Sequence, residues 1–276
     1  MIWKSSAGST SRWQNKMQYA LRKVPQITAY FWIVKIITTA LGESTSDYLV
    51  YSINPYVAVG ISALVFALAI AVQFWWPRYN AWVYWLAVTM VAVFGTMGAD
   101  VLHIVIGIPY LYTTIFFAVS LAIIFWLWWT VEKNLSIHSI TTPRREMFYW
   151  LTVMATFALG TAAGDMTAFT LSLGFFSSGL LFAALIALIA ALHYVAKGWL
   201  SEHHEHLTRN AVLAFWLAYI FTRPLGASFA DWFGKSSAIG GLGLGDGVVS
   251  LVLTILLVGF VWYLSATKLD VEKART

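Results

Sequence analysis

Four aspartates recur at equivalent places in stretches that are otherwise apolar enough to cross a membrane. Each follows a glycine by five residues, and the four are Asp47, Asp100, Asp165 and Asp231. An ionised carboxylate is among the costliest groups to place in hydrocarbon, so such residues usually mark a functional site. Carboxylates gathered at one depth must share protons or bind a cation, and oxygen ligands suit hard ions such as Mn²⁺, Mg²⁺ or Ca²⁺.

The first and fourth copies carry additional charges. Glu43 lies four residues before Asp47, which places both carboxylates on one face of a helix. Lys35 and Arg223 are the two cations within the apolar stretches, and two roles are open for them. They either neutralise the carboxylates permanently or act as counter-ions that a substrate cation displaces. Two polar residues of the first copy are accessory candidates, Thr39 and Ser46.

The histidines form a weaker set of candidates. His103 follows Asp100 by three residues and could be a ligand or proton shuttle, although a hydrogen-bonded residue at a helix end is the commoner case. The run SEHHEH at 201–206 is dense enough to collect a divalent metal, and equally typical of a solvated loop. Its candidate ligands are His203, His204 and His206.

These residues belong to a fourfold internal repeat. The segments FWIVKIITTALGESTSD, YWLAVTMVAVFGTMGAD, YWLTVMATFALGTAAGD and FWLAYIFTRPLGASFAD begin at residues 31, 84, 149 and 215 and align without a gap. Each reads aromatic, Trp, nine residues, Gly, four residues, Asp. At 1.5 Å per residue the Asp lies about 22 Å beyond the Trp, so we expect the four carboxylates at one depth and close together. Small residues around them favour close helix packing.

The elements that carry the repeats are long apolar helices. The chain has 276 residues, of which 60% are hydrophobic and 11% charged, which indicates an integral membrane protein. Each repeat predicts a helical hairpin, so the fold class is all-α, with eight transmembrane helices as four parallel hairpins packed in a ring or in pairs. We expect repeats at about 27–77, 81–131, 146–197 and 211–267 of one transmembrane domain (27–267), between cytoplasmic tails at 1–26 and 268–276.

Basic residues predict the orientation. With eight spans, fourteen Lys and Arg residues lie in the tails and connections of one side, and Lys235 alone lies on the other. By the positive-inside rule the basic side is cytoplasmic, and both termini lie there. This distribution explains the net charge of +5 without a nucleic-acid partner. The absence of cysteine excludes disulfides and thiolate catalysis.

Three segments resemble a bacterial family of multi-pass inner-membrane proteins that are labelled only as uncharacterised. They are VPQITAYFWIVKIITTALGES, LGTAAGDMTAFTLSLGF and FTRPLGASFADW, and the resemblance extends from Val24 to about residue 245. It implies a location in the bacterial inner membrane and supports eight spans. It implies no reaction.

We therefore expect a cation transporter, with a divalent metal ion as the candidate substrate and protons as the coupling ion. Its partners would be the lipid bilayer and the ion, with no certain cofactor and with a homo-oligomer left open. The alternative is a non-transporting sensor or assembly protein whose aspartates fix helix packing or cap helices. An intramembrane enzyme that uses paired carboxylates is disfavoured, because four equivalent carboxylates exceed what acid–base chemistry needs.

Overall fold

The computed structural model describes residues 22–199 and 204–271, and this part of the chain is helical throughout its regular structure. It contains eight α-helices and no strand. In chain order they are α1 (Ala29–Ser52), α2 (Pro55–Trp75), α3 (Ala81–Asp100), α4 (Tyr110–Glu132), α5 (Pro143–Asp165), α6 (Gly174–Trp199), α7 (His204–Gly234) and α8 (Asp246–Thr267). The expected all-α membrane fold is confirmed.

Seven of these helices, α2 to α8, are long and apolar enough to cross a membrane. The first, α1, has 24 residues, enough for about 36 Å at 1.5 Å per residue, but it carries Lys35, Glu43 and Asp47. Two of these, Lys35 and Glu43, are buried among other helices and do not face lipid. The low hydropathy of α1 therefore comes in part from charged residues on the face that packs against other helices, while Ile33 and Ile36 lie on its exposed face.

Local signals set several helix ends. Asn54 and Asn80 accept hydrogen bonds from the first backbone N–H groups of α2 and α3, and Thr142 does the same for α5. Lys133 and Lys268 follow α4 and α8 in the left-handed conformation, which is a common way for a helix to stop.

The first helices of the four repeats form a closed ring. Helix α1 packs on α3, α3 on α5, α5 on α7, and α7 on α1. These four inner helices hold most of the buried side chains, whereas α2, α4, α6 and α8 leave most of their apolar surface exposed. Of the two packings that the sequence left open, the ring is the one observed.

Each outer helix covers the repeat that follows its own. Helix α2 packs mainly on α3, α4 on α5 and α6 on α7, and α8 returns to pack on α1. Contacts between the two helices of one repeat are much sparser. The repeat unit of the sequence is thus not the packing unit, because the tightly packed antiparallel pair joins the second helix of one repeat to the first helix of the next.

Glycines allow the inner helices to approach closely. A Cβ atom at Gly42 of α1 would overlap Ala92 of α3, and one at Gly226 of α7 would overlap Thr39 of α1. A Cβ atom at Gly160 of α5 would overlap the stem of Arg223 in α7. All three are the glycine of the repeat pattern, so that glycine serves helix–helix packing.

The ends of the bundle are held by polar contacts. On the side of the basic connections, the ammonium group of Lys23 donates to the last carbonyls of α2, including that of Phe74 at 3.1 Å, and pairs with Glu146 of α5 at 3.1 Å. On the opposite side, the Gly-rich stretch 235–245 folds back along the end of α7. Its backbone N–H groups at Leu242 and Leu244 donate to Trp232 and Phe233 at 2.6 and 3.1 Å. This outer stretch is thus a hydrogen-bonded turn.

The close contact between α1 and α3 predicts a position-specific cost of adding volume. Gly42→Val should lower the free energy of unfolding by about 1–3 kcal/mol, because the new side chain overlaps Ala92 in a packed interface. Gly60→Val in α2 is the matched control, since Gly60 is exposed and has open space around it. Unfolding of both variants in mixed micelles, titrated with denaturing detergent, measures the difference. Equal stability of the two variants would contradict the close packing of α1 on α3.

Candidate functional site

Side chains from the four inner helices meet on the ring axis in layers spaced four residues apart. Residues four apart lie on one helix face, and each step advances about 6 Å at 1.5 Å per residue. Counted from the repeat glycine, the aspartate layer lies at +5, the glutamate layer at +1, the arginine layer at −3 and the lysine layer at −7. The aspartate layer consists of Asp47, Asp100, Asp165 and Asp231, and the glutamate layer of Glu43, Thr96, Thr161 and Ala227. The arginine layer consists of Thr39, Ala92, Phe157 and Arg223, and the lysine layer of Lys35, Val88, Val153 and Tyr219.

Arg223 connects all four inner helices. Its side chain is 0% exposed, and one of its terminal nitrogens donates to Glu43 Oε2 of α1 at 2.7 Å. The same nitrogen donates to Thr161 Oγ1 of α5 at 2.8 Å and to the hydroxyl of Thr96 in α3. The other terminal nitrogen donates to the carbonyl of Thr39 at 3.2 Å. The guanidinium group thereby binds three of the four side chains of the glutamate layer, namely those of Glu43, Thr96 and Thr161.

Three carboxylates that could together hold a metal ion lie next to Arg223, on the side of the aspartate layer. Glu43, Asp47 and Asp231 each offer an oxygen, and these oxygens lie within 4.8 Å of one another. Glu43 and Asp231 are buried, and Asp47 is half-buried. The group joins the first repeat to the fourth, which are neighbours because α7 closes the ring on α1. We refer to these three residues as the carboxylate cluster.

Lys235 binds the carboxylate cluster from the outer side. Its ammonium group lies 2.5 Å from Asp47 Oδ2, 3.4 Å from Asp246 Oδ2 and 3.9 Å from Asp231 Oδ1. Burial lowers the pKa of Lys235, but the carboxylates of Asp47 and Asp231 outweigh burial and raise the pKa above its ordinary value. Lys235 is therefore charged at neutral pH and contacts three carboxylates.

The aspartates of the two middle repeats lie at the same level but outside the carboxylate cluster. Asp100 is close enough to Glu43, Asp47 and Asp165 to interact with them electrostatically. Directly after Asp100 and Asp165 the helices widen into π-helical turns, Val101–Val105 and Met166–Thr170. Such turns are rare and often occur at functional sites. The expected convergence of four aspartates is thus uneven, with two in the cluster and two beside it.

Below Arg223 the axis is closed. Every member of the arginine and lysine layers is 0% exposed. Lys35 projects over the rings of Phe157 and Tyr219, with its ammonium group 4.1 and 4.3 Å from their centres. No carboxylate of the described residues pairs with Lys35, so the counter-ions in contact with acidic groups are Arg223 and Lys235. One layer further down, the hydroxyls of Tyr84 and Tyr149 hydrogen-bond at 2.5 Å.

The accessory candidates have local partners. The Thr39 hydroxyl donates to the Ile36 carbonyl at 2.7 Å, whereas the Ser46 hydroxyl is buried without a hydrogen-bond partner among the described residues. His103 lies in the π-helical turn, where its Nδ1 contacts the Ile108 carbonyl at 2.7 Å and its ring stacks on Tyr110. His103 is thus held as a hydrogen-bonded residue at a helix end. His203 lies outside the described residues, as do the side chains of His204 and His206.

The repeated aspartates do not serve as helix caps. Asp47 and Asp231 lie inside α1 and α7, and the side chains of Asp100 and Asp165 make no capping hydrogen bond to the π-helical turns that follow them. This removes the capping explanation for their recurrence.

Three partners of the site were not singled out in the sequence. Thr96 and Thr161 occupy the position of Glu43 in the second and third repeats, so superposing the repeats identifies them. Lys235 had a signal of its own, because it is the single basic residue on its side of the predicted topology and lies four residues after Asp231.

Comparison with known proteins identifies the repeat. The family model described as Repeat of Unknown Function (DUF347) matches four times, at residues 30–79, 83–134, 148–198 and 214–270. No curated protein and no solved structure matches the chain.

The ion pair between Arg223 and Glu43 predicts strong coupling between these residues. Arg223→Met should lower the free energy of unfolding by about 3–5 kcal/mol, because it leaves a buried carboxylate without its partner. Adding Glu43→Gln should restore about 1–3 kcal/mol, since the unpaired charge is then removed. Unfolding in mixed micelles measures both values.

Arg144→Met is the matched control. Arg144 also pairs with a glutamate, Glu132, but its side chain is 64% exposed. An exposed ion pair is worth about 0–1 kcal/mol, so this variant should be close to the wild type. Additive effects of Arg223→Met and Glu43→Gln would contradict the coupling.

Proposed function

Because the chain belongs to the family of repeats of unknown function DUF347, its activity must be inferred from its own site, and we propose that it is a membrane transporter for a cation. A divalent metal ion is the proposed substrate, and protons are the proposed coupling ion. The observation that carries the proposal is the carboxylate cluster of Glu43, Asp47 and Asp231 on the axis of a closed helical ring. The membrane is the cytoplasmic membrane of a bacterium, with both termini on the cytoplasmic side.

The chemistry of the cluster favours a hard divalent cation. Its ligands are carboxylate oxygens, which suit Mn²⁺, Mg²⁺ or Ca²⁺. Asp100 and Asp165 interact electrostatically with Glu43 and Asp47, so additional negative charge lies next to the cluster. Arg223 and Lys235 provide two positive charges against five carboxylates on the axis and Asp246 at its edge. The site thus attracts positive charge or protons.

The two cations that contact the carboxylate cluster have different roles in this proposal. Arg223 is 0% exposed and hydrogen-bonded to three other helices, so it closes the inner side of the site in this state. Lys235 is attached to the outer turn, its side chain is 17% exposed, and its ammonium group contacts three carboxylates. An arriving divalent ion displaces Lys235 and takes over Asp47 and Asp231. Lys235 is therefore a competing, covalently tethered cation.

The exposure of the layers supports access to the cluster from the side of Lys235. Asp47 is half-buried at the outer end, whereas the arginine and lysine layers beneath it are 0% exposed. This arrangement corresponds to a state open toward Lys235 and closed toward the basic connections. Transport then requires the inner helices to separate at the arginine and lysine layers, which means that the hydrogen bonds of Arg223 must rearrange. Alternating exposure of one midplane site is the usual logic of secondary transporters.

A non-transporting role is the second candidate, and the internal ion pairs favour it. Arg223 and Lys235 already pair with Glu43 and Asp47 at 2.7 and 2.5 Å, so the charges can fix helix packing without any ligand. Under this alternative, Asp→Asn variants lower thermal stability in detergent, and metal ions do not shift it.

Flux in proteoliposomes tests the proposal. Asp47→Asn should reduce Mn²⁺ entry by at least about tenfold, which corresponds to about 1.4 kcal/mol of lost stabilisation. Quenching of a metal-sensitive dye in the lumen reports entry, and Mg²⁺, Ca²⁺ and an imposed pH gradient are compared in the same assay. Asp270→Asn is the matched control, because Asp270 is a buried carboxylate outside the ring axis. Wild-type flux in Asp→Asn variants of all four repeated aspartates would overturn transport.

Lys235→Met separates binding from movement. Removing the tethered ammonium group should strengthen Mn²⁺ binding, measured as a larger metal-dependent rise in the melting temperature than in the wild type. If metal ions raise the melting temperature but neither the wild type nor any variant shows flux, the result would support the sensor alternative. An unchanged melting temperature for all ions, in both the wild type and Lys235→Met, would show that the cluster is structural.

A further inference from the structure

A groove outside the ring axis opens toward lipid between α4 and α7, with α5 at its base. It has a volume of about 880 Å³, within the range of small-molecule sites of roughly 300–1,000 Å³. Its walls are apolar over most of their length, and representative lining residues are Leu121, Phe125, Leu159, Leu213 and Leu217. Since α4 packs on α5 and α6 packs on α7, neither outer helix fills this space.

One end of the groove is basic and lies at a membrane boundary. Lys133 follows the last residue of α4, and Arg209 is the second residue of the apolar span that begins at Thr208; both line the groove. The side-chain nitrogen of Asn210, also in the lining, is buried without a hydrogen-bond partner among the described residues. No carboxylate lines the described groove. The nearby Glu132 is already bound to Arg144 and Arg145.

The ring contains a second groove of the same kind, and there the chain supplies its own anion. Two repeats further on, the groove between α8 and α3 is lined by Lys268 and Arg78, which correspond to Lys133 and Arg209. Asp270 also lines it, is 2% exposed, and accepts a hydrogen bond from the hydroxyl of Tyr79. Lys268 interacts electrostatically with Asp270. Here the volume is only about 390 Å³.

We propose that the groove between α4 and α7 is a binding site for an anionic phospholipid. The acyl chain lies along the apolar walls, and the headgroup phosphate is bound by Lys133 and Arg209 in the place that Asp270 takes in the related groove. Asn210 adds a neutral hydrogen-bond donor to the phosphate. Basic pockets between transmembrane helices at one membrane surface recognise such headgroups, and the acyl contact distinguishes this ligand from free phosphate. The site is independent of the ring axis.

Native mass spectrometry of the purified full-length protein tests the site. The protein is delipidated and offered phosphatidylglycerol, phosphatidylcholine or inorganic phosphate. We expect retention of phosphatidylglycerol by the wild type and a loss of about fivefold in affinity for each of Lys133→Gln and Arg209→Gln. Asn210→Asp should also reduce binding, because it places a carboxylate near the basic pair as Asp270 does in the related groove. The matched control is Arg78→Gln, which should retain phosphatidylglycerol like the wild type.

Three outcomes would overturn the proposal. The first is that the wild type retains phosphatidylcholine as well as phosphatidylglycerol. The second is that it binds inorganic phosphate alone as well as phosphatidylglycerol. The third is that the double variant Lys133→Gln/Arg209→Gln retains phosphatidylglycerol like the wild type. If the basic-pair variants do not fold, Ala122→Trp provides a second variant, since it fills the apolar part of the groove from α4 and leaves the basic pair intact. Ala122→Trp is expected to lose phosphatidylglycerol, and retention by it would also contradict the site.

Discussion

The hydrogen bonds of Arg223 bind the four inner helices to one another at a single point. A buried guanidinium group is costly unless it is hydrogen-bonded and paired, and the two terminal nitrogens of Arg223 find their partners on α1, α3 and α5. The position of Gly160 beside the Arg223 stem follows from the same constraint, because a larger residue would push the guanidinium group away from the axis. Glu43 is fixed in turn, and its fixed position brings it within reach of Asp47 and Asp231.

Duplication explains why such a site can be built on an axis. Four copies of one helix place equivalent side chains at equal depth, and divergence then gives each layer a mixture of residues. The glutamate layer contains one carboxylate, two hydroxyls and one methyl group, and the arginine layer contains one guanidinium group among uncharged neighbours. A layer with four identical charges would repel itself, whereas a single charge per layer can pair with the next layer. Only the aspartate layer retains four carboxylates, and it lies at the more exposed end.

Much of this architecture could be predicted from the sequence. The repeat, the helix count and the common depth of the aspartates follow from spacing and hydropathy, and Glu43 follows from its offset of four from Asp47. Ring closure could not be predicted, because nothing in the composition of α8 distinguishes packing on α7 from packing on α1. The role of Lys35 was equally hidden, since sequence shows a charge within a span but not whether carboxylates or aromatic rings surround it. Lys235 appears in the sequence as a loop residue, and only the folded turn brings it to Asp47.

The return of α8 to α1 has a consequence for biosynthesis. Helix α1 is made before its partners α7 and α8. Until those helices are made, Lys35, Glu43 and Asp47 have no Arg223 or Lys235 nearby, so a helix with three charged residues must wait in the bilayer or at its surface. Helix α1 is therefore completed only after α7 and α8 are made, and a chain truncated before α7 lacks the residues that pair with Glu43 and Asp47.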